Sequence, residues 1–519
     1  MQIRNWEASS CYGHAELASE LPITTRGTLP TCFFNGPSWP VTGVPSSRED
    51  RSNGIPAGLD EFPAQPVRRL AAGLLARLVA QPMAELVAQP SAELMAQLTA
   101  QPTAQLTVQP TARGAGLRAG LIRFPVLPTG LCLPKKGARS VVAPRVLVDA
   151  TAVPADRGAL GRYVDGLIGA LVSADADLAV ACQRADEERY GRLAPNAWVV
   201  AGPTAIAHRA ARLAWEQTGL PLVAQQVGAD VIHAPHYSIP LRPGVPCVVT
   251  VHDLTFFTDP DLHTAVTATF FKSAIRTAAR RATRLLVPSK ATRDELVRVL
   301  GADPTRIDVA YHGVDHKLFH RPDALQLAHV SDRLGLHGKP YVAFLGLLEP
   351  RKNVPALIRG WSDAAADMAE PPALVLAGGC GWSEEVDVAV AAAPPHLRLI
   401  RPGYLRFSDL PGFLGGAMVV AFPSRGEGFG LPVLEAMACG APVLTTHCTS
   451  LPEVGGDAVA YTERDADSIR DALRALLDDP ARLQALGDAG FARSQEFTWE
   501  ASAEAHMASY QRAAEQQVP

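Results

Sequence analysis

The chain has no excess of positive charge, no closely paired cysteines and no long apolar run. Its 519 residues carry 48 lysines and arginines against 52 aspartates and glutamates, a formal net charge of −4. Because nucleic-acid binding needs clustered cations that neutralise phosphates, this balance argues against a nucleic-acid-binding protein. With 47% hydrophobic residues and a mean hydropathy of +0.06, the composition is typical of a soluble globular enzyme. Its length indicates two or three domains.

Cysteine usage and hydropathy also bear on location. The eight cysteines are scattered singly from Cys11 to Cys448. This spacing favours free thiols in a reducing compartment over disulfides or a zinc site. The apolar stretch at residues 70–80 is interrupted by Arg77, is too short to span a bilayer, and begins too far from Met1 for a convincing signal peptide. We therefore expect a cytoplasmic protein.

Residues 1–140 differ in composition from the rest of the chain. The first seventy are rich in proline, glycine, serine and threonine, and residues 81–112 repeat four-residue units such as Gln-Pro-Met-Ala and Glu-Leu-Val-Ala. Recurrent prolines interrupt a helix, and a period of four builds no fixed apolar face on a helix of 3.6 residues per turn. We expect low-complexity disorder, or a translation start that truly lies near Val141. A functional interaction arm is the alternative.

From Arg145 onward, short apolar runs alternate with amphipathic segments. This rhythm is typical of doubly wound parallel sheets, and it occurs twice. We predict Rossmann-like domains over residues 141–325 and 338–495, with a glycine loop at 157–163 followed by a helix through Leu171. Since ligands bind beyond the carboxyl ends of such strands, the facing loops of both domains should form the site. The predicted strands are 145–150, 178–181, 229–233, 247–251, 284–287, 341–345, 373–377, 397–400, 418–422 and 442–445.

One nonapeptide is more informative than any other segment. Residues 427–435 read Glu-Gly-Phe-Gly-Leu-Pro-Val-Leu-Glu and follow a predicted buried strand. Pro432 suits the first turn of a helix, where its missing N–H has no intrahelical partner. The strand, the glycine turn and the helix N-terminus together form a site where backbone N–H groups and the helix dipole can hold phosphate. Glu427 precedes this helix and can hydrogen-bond sugar hydroxyls, while Glu435 lies about two turns further along.

These residues resemble the E-x7-E motif of glycosyltransferase family 4, the retaining, mannosyltransferase-like enzymes of group 1. The resemblance covers about residues 145–512. It implies a GT-B fold, in which two Rossmann-like domains face each other across a cleft, with residues 496–519 forming a helix that crosses back to the first domain. It also implies a retaining, metal-independent transferase that needs no cofactor and moves a sugar from a nucleoside diphosphate sugar to a hydroxyl acceptor. The acceptor would be a saccharide or lipid-linked saccharide in cell-surface polysaccharide or glycolipid assembly.

The resemblance assigns roles to individual residues. In Leu-Glu-Pro-Arg-Lys-Asn, residues 348–353, Arg351 and Lys352 match the contacts to the donor phosphates, and this form of the loop favours GDP-mannose. Several relatives place an arginine after the preceding glycine, where this chain has Leu347, which puts one phosphate contact in question. His252 matches a histidine beside the donor sugar, Glu427 a ligand of that sugar, and Glu435 a ligand of the nucleotide ribose. The other matched donor-site positions are Gly158, Gly161, Gly346, Tyr404, Leu405, Ser424, Gly428, Phe429, Gly430 and Leu431.

Several alternatives remain open. A metal triad of His233, His236 and His252 lacks a suitably spaced carboxylate, so we predict no metal site. The basic segment at residues 270–284 is either a membrane-contacting helix at the inner face of the membrane or an ordinary packed helix with a solvated basic side. In place of a transferase, the same fold would also serve a nucleotide-sugar epimerase or a catalytically silent scaffold.

Overall fold

The computed structural model describes residues 143–381 and 383–516. The expectations for residues 1–140, namely disorder, a later translation start or an interaction arm, lie outside the described residues. No helix among the described residues is both long and apolar enough to cross a membrane.

The first domain is built on a sheet of seven parallel strands in the spatial order β3-β2-β1-β4-β5-β6-β7. Its central strands are fully buried, because helices cover both faces of the sheet. The strands are β1 (Val146–Asp149), β2 (Leu178–Cys182), β3 (Trp198–Ala201), β4 (Val231–Ala234), β5 (Cys247–Thr250), β6 (Arg284–Val287) and β7 (Ile307–Val309). The helices are α1 (Gly158–Ser173), α2 (Glu187–Leu193), α3 (Arg209–Val227), α4 (Thr255–Thr258), α5 (Ala265–Arg281) and α6 (Lys290–Leu300).

The second domain repeats this design with six parallel strands in the order β10-β9-β8-β11-β12-β13. Its strands are β8 (Tyr341–Leu345), β9 (Ala373–Ala377), β10 (Leu399–Gly403), β11 (Val419–Phe422), β12 (Val443–Thr446) and β13 (Ala460–Thr462). Its helices are α7 (Ala324–Arg333), α8 (Val354–Ala365), α9 (Glu384–Ala392), α10 (Leu410–Gly415), α11 (Leu431–Ala438), α12 (Leu451–Gly455), α13 (Ala466–Leu477) and α14 (Pro480–Ser494). The described chain then ends with α15 (Trp499–Glu515). Two facing doubly wound sheets confirm the predicted fold class.

Side-chain alternation along the strands divides the first domain into two cores. Leu147 of β1 faces one hydrophobic cluster, whereas its neighbours Val146 and Val148 face the other. The second domain has one continuous cluster, in which Trp361 is fully buried. Successive side chains of a strand point to opposite faces, so apolar residues at every position require helices on both sides.

Three strands were not predicted, and all three lie at sheet edges. β3, β7 and β13 have four, three and three residues respectively. Edge strands are covered less completely, as Trp198 shows with 47% of its surface exposed, so their sequences need not be continuously apolar. The prediction of a glycine loop at residues 157–163 is also wrong, because the helix α1 already begins at Gly158.

The chain passes between the domains twice. The first connection, at residues 321–339, contains α7, which packs on α10 so closely that a Cβ added at Gly412 would lie 2.7 Å from the carbonyl oxygen of Gln326. After α14 the chain returns, and α15 packs on α1 of the first domain, with the Trp499 ring against Gly166. The two passages touch where Val314 N donates to Phe497 O at 3.1 Å.

Candidate active site

A cavity of about 610 Å³ lies between the two domains. Its walls are loops that follow the carboxyl ends of strands from both sheets, as expected for open α/β sheets. Most of the predicted donor-site residues line it, namely Gly158, His252, Gly346, Arg351, Lys352, Tyr404, Leu405, Glu427, Gly428, Phe429, Gly430 and Leu431.

Glu427 is the centre of a buried ion cluster. Its Oε2 accepts a hydrogen bond from Arg351 Nη1 at 2.7 Å, and its Oε1 accepts from Lys352 Nζ and Ser424 Oγ, each at 2.6 Å. Arg351 Nη2 also donates to Glu349 Oε1 at 2.7 Å. Burial favours the neutral acid, but the two cations outweigh it and lower the pKa of Glu427 to about 2. The carboxylate is therefore ionised under ordinary conditions.

The two cations respond differently to burial. Desolvation opposes the charge of both groups, yet Glu427 and Glu349 raise the pKa of Arg351 above its usual value. For Lys352, burial and then the neighbouring Arg351 charge lower the pKa, and the carboxylates offset this in part. Of the two cations, Arg351 is therefore the one whose charged form is more strongly favoured.

A tight turn at the end of β8 positions these cations. Residues Pro350–Lys352 form one 3-10 turn, and Asn353 ends it with a φ of +59°. Proline pre-sets the first position of such a turn, and asparagine tolerates the left-handed region better than most residues. Asn353 Nδ2 donates to Arg464 O at 2.7 Å, while Arg351 O accepts from Arg425 N at 2.9 Å. Both ends of the loop are thus anchored.

The glycine turn before α11 brings the domains into close contact. A Cβ added at Gly428 would lie 1.7 Å from the carbonyl oxygen of His252, so only glycine fits there. Gly430 has a φ of +103° and precedes α11, whose N-terminus has no side-chain cap and holds Pro432 in its first turn. Because Gly430 and Leu431 line the cavity, the positive end of this helix is directed towards it.

Three predicted donor-site residues do not line the cavity. Ser424 is fully buried behind Glu427, to which it donates. Gly161 lies in the first turn of α1, where an added Cβ would be 2.6 Å from Arg157 Cβ. Glu435 is 1% exposed and lies 2.9 Å from Nε of Arg162, a first-domain residue that does line the cavity. Burial raises the pKa of Glu435 to about 7, and Arg162 counteracts only part of this effect.

His252 is held as a neutral ring. Its Nε2 lies 2.7 Å from the carbonyl oxygen of Pro235, which can only accept, so Nε2 carries the proton and Nδ1 is the acceptor. Burial lowers the pKa of His252. His233 instead hydrogen-bonds Thr250 and Tyr510 inside the first domain. Across the described ranges, no three histidine, cysteine, aspartate or glutamate side chains are placed to hold a metal ion together.

Further contacts across the cleft were missed by sequence reasoning. Tyr404 Oη donates to Asp156 Oδ2 at 3.1 Å. Glu453 of α12 accepts from the backbone N–H groups of Lys290 and Ala291 at 2.9 and 2.7 Å, and so caps α6 of the opposite domain. Glu453 belongs to the Ser-Leu-Pro-Glu segment at residues 450–453. Nothing in the local sequence marks Asp156.

Comparisons with known sequences match a family model to each of the two domains. The family model described as Glycosyltransferase Family 4 matches residues 160–318, and that described as Glycosyl transferases group 1 matches residues 331–493. The chain is 30% identical over 272 residues to O-antigen chain mannosyltransferase B of Escherichia coli. The aligned region covers 52% of this chain and 71% of the relative. It is 33% identical over 249 residues to D-inositol 3-phosphate glycosyltransferase of Mycolicibacterium paratuberculosis, covering 45% of this chain and 53% of that protein.

Solved structures show the same fold. The crystal structure of Anabaena Alr3699/HepE in complex with UDP-glucose aligns with a TM-score of 0.57 at 19% identity, over 70% of this chain and 98% of that one. A glycosyltransferase from Rickettsia africae aligns with a TM-score of 0.58 at 12% identity, over 72% and 99%. With both domains matched by family models and a relative matched over most of its length, the chain belongs to glycosyltransferase family 4 and is a glycosyltransferase with the GT-B fold.

Proposed function

We propose that the protein transfers mannose from GDP-mannose to a hydroxyl of a saccharide or lipid-linked saccharide, with retention of configuration and without a bound metal. The observation that carries this proposal is the cluster of Arg351, Lys352 and Glu427 beside the uncapped N-terminus of α11. Mannose is favoured by the form of the loop at residues 348–353 and by the name of the mannosyltransferase relative.

The proposed donor site acts mainly through electrostatics. When the bond between sugar and phosphate breaks, negative charge grows on the leaving diphosphate. Arg351, Lys352 and the first N–H groups of α11 are oriented in advance, so they stabilise that charge without reorganising. His252 Nδ1 would accept a hydrogen bond from a hydroxyl of the donor sugar. No cofactor is required for these steps.

The ionisation of Glu427 supports the proposal of retention. A carboxylate with a pKa of about 2, hydrogen-bonded to Arg351, Lys352 and Ser424, is a poor base and a poor nucleophile. We therefore assign the reaction to attack by the acceptor oxygen on the face that the diphosphate leaves. The bond from the anomeric carbon to phosphate oxygen breaks, the bond to acceptor oxygen forms, and the acceptor proton passes to the leaving phosphate.

A donor screen tests this proposal. The full chain is incubated with GDP-mannose, GDP-fucose, UDP-glucose and UDP-N-acetylglucosamine, with and without EDTA, and thermal stabilisation and slow donor hydrolysis are measured. We expect GDP-mannose alone to respond, and to respond equally with EDTA. Sugar conversion without an acceptor would instead indicate an epimerase, and no response to any donor would indicate a silent scaffold. The anomeric configuration of a transfer product, read by NMR, tests retention.

We further propose a cytoplasmic protein that touches the inner face of the membrane through α5. This helix presents Val266 with 81% of its surface exposed. Its Lys272 and Arg276 lie 6.0 and 5.0 Å from the ring centroid of Phe257, so cations and an aromatic ring form one surface. Such surfaces bind anionic lipid headgroups. Co-sedimentation with phosphatidylglycerol vesicles, but not with phosphatidylcholine vesicles, is the expected result.

A further inference from the structure

We propose that Arg162 is a donor-binding residue of the first domain, held on Glu435 until the nucleotide ribose takes its place and then directed to the donor diphosphate. This inference rests on the proposed function, because it names a further ligand of the same donor. It assigns Arg162 a role that neither the E-x7-E motif nor the loop with Arg351 and Lys352 contains.

The observation is an incomplete ion pair across the cleft. Arg162 Nε and Glu435 Oε1 are 2.9 Å apart, yet Arg162 Nε makes no hydrogen bond because its N–H is not directed at the carboxylate. Glu435 Oε2 is buried and also has no hydrogen-bond partner. A buried carboxylate oxygen without a protein partner is costly, so its presence needs an explanation, and a bound ligand provides one. The ribose of a nucleotide carries two adjacent hydroxyls that can donate to both oxygens.

Arg162 stands between Glu435 and the cavity. Arg162 lines the cavity wall and its side chain is 21% exposed, whereas that of Glu435 is 2% exposed and does not reach the wall. A ribose can therefore reach Glu435 only when the guanidinium moves aside. Arg351 and Lys352, the proposed ligands of the diphosphate, line the same cavity as Arg162. The displaced Arg162 guanidinium therefore stays in the cavity that receives the diphosphate.

The backbone of Arg162 is fixed by its neighbour in sequence. Tyr163 is fully buried, and its hydroxyl lies 2.8 Å from both Thr250 Oγ1 and His506 Nε2. The exchange is therefore confined to the Arg162 side chain or to movement of the whole first domain. Either movement takes the Arg162 guanidinium away from Glu435 and leaves α11, which carries Glu435, in place.

Paired ligands that differ only in the phosphates test the inference. The affinities of guanosine and GDP, and of uridine and UDP, are measured by calorimetry for the full-length wild type and for Arg162→Ala. We expect the nucleoside affinity of the variant to be equal or higher, since a competitor for Glu435 is gone. We expect the diphosphate affinity to fall about tenfold, the loss of roughly one charge-assisted hydrogen bond. The ratio of the diphosphate affinity to the nucleoside affinity should therefore fall by at least tenfold.

A merely structural role for Arg162 predicts another result. If Arg162 only stabilised Glu435, its removal would weaken nucleoside and diphosphate equally, and a ratio unchanged from the wild type overturns the inference. Arg184→Ala removes an exposed cation of the same domain, paired with Glu187, and should leave the ratio unaltered. If the wild type binds neither diphosphate, the proposed function itself fails; if it binds one and the ratio holds, only this inference fails.

Discussion

At the scale of single residues, the proposed donor site contains charged side chains that stabilise one another. Arg351 and Lys352 contribute two positive charges, and Glu349 and Glu427 two negative ones, within one set of contacts. All of them except the partly exposed Arg351 are buried. Separating ions from water is expensive, and only the mutual pairing offsets that cost. The loss of one member therefore leaves uncompensated buried charge. The same dependence keeps Glu427 ionised and holds both cations in fixed directions.

Glu427→Gln should lower the free energy of unfolding by about 3–5 kcal/mol, the usual cost of breaking a buried ion pair. Because the pKa of Glu427 is depressed from its ordinary value of 4.5 to about 2, its stabilising effect is fully present above pH 4.5. It should disappear as the pH falls from 4.5 towards 2. Urea denaturation at a series of pH values measures this. The exposed Glu463, changed to glutamine, is the matched control; equal effects of both changes would contradict the buried cluster.

At the scale of elements, α15 is bound to the first domain by a directional hydrogen-bond chain. His506 Nδ1 must donate to Ser502 O, so its Nε2 accepts from Tyr163. Tyr163 then accepts from Thr250, which leaves Thr250 to accept from His233 Nε2. His233 Nδ1 completes the chain as the acceptor for Tyr510. Burial lowers the pKa of His506 to about 4, which is consistent with neutral rings throughout.

Two glycines of α1 allow a matched test of this docking. A Cβ at Gly166 would lie 2.2 Å from the Trp499 ring, whereas one at Gly169 would meet its nearest atom, in Leu193, at 3.6 Å. Both changes to alanine gain about 0.5–1 kcal/mol of helix propensity. We expect Gly169→Ala to be neutral or stabilising and Gly166→Ala to lower the melting temperature by several degrees, since α15 must shift. Differential scanning calorimetry compares them, and indistinguishable melting temperatures would argue against tight packing of α15 on α1.

At the scale of the whole molecule, several contacts across the cleft join the two domains. Gly428 meets the His252 backbone, Glu453 caps α6, and Tyr404 reaches Asp156. The first of these contacts has no space for a side chain, so it sets how closely the two halves of the donor site approach. Catalysis across such a cleft depends on that approach, because small displacements of reacting groups reduce rates strongly.

Gly428→Ala should therefore reduce kcat/KM for transfer by at least about tenfold, because an added methyl group would hold the domains apart. Gly426→Ala is the control from the same loop, since its Cβ would lie 3.5 Å from the nearest atom, in Thr255. That variant should retain most of the activity. Steady-state kinetics of both purified variants provide the comparison. Equal activity in the two would show that the contact between Gly428 and His252 does not limit closure.

Much of this organisation was predictable from the sequence because it is local. Each of the ten predicted strands is present within a few residues. Nine of them are central strands, which are largely apolar runs, and only β10 lies at a sheet edge. The nonapeptide with Glu427 likewise predicted a strand, a glycine turn and a helix starting near Pro432. The short edge strands were missed because partial exposure weakens that signal.

Contacts between distant segments were beyond local reasoning. Asp156 and Tyr404 are 248 positions apart, and Arg162 meets Glu435 only because the two domains face each other. No periodicity or turn residue encodes such pairs. The roles of Arg351, Lys352 and Glu435 towards a nucleotide remain predictions that the binding experiments will test.

The hydrogen bond between Val314 and Phe497 has a mechanical consequence. Since the outgoing and returning passages lie side by side, two adjacent chain segments connect the domains. Two adjacent connections allow the domains to rotate about the line that joins them, but they resist twisting. The opposing loops therefore meet in the same relative position each time the cleft closes. A single proteolytic cut in one passage would leave the other intact, and the nicked protein should still close on its donor.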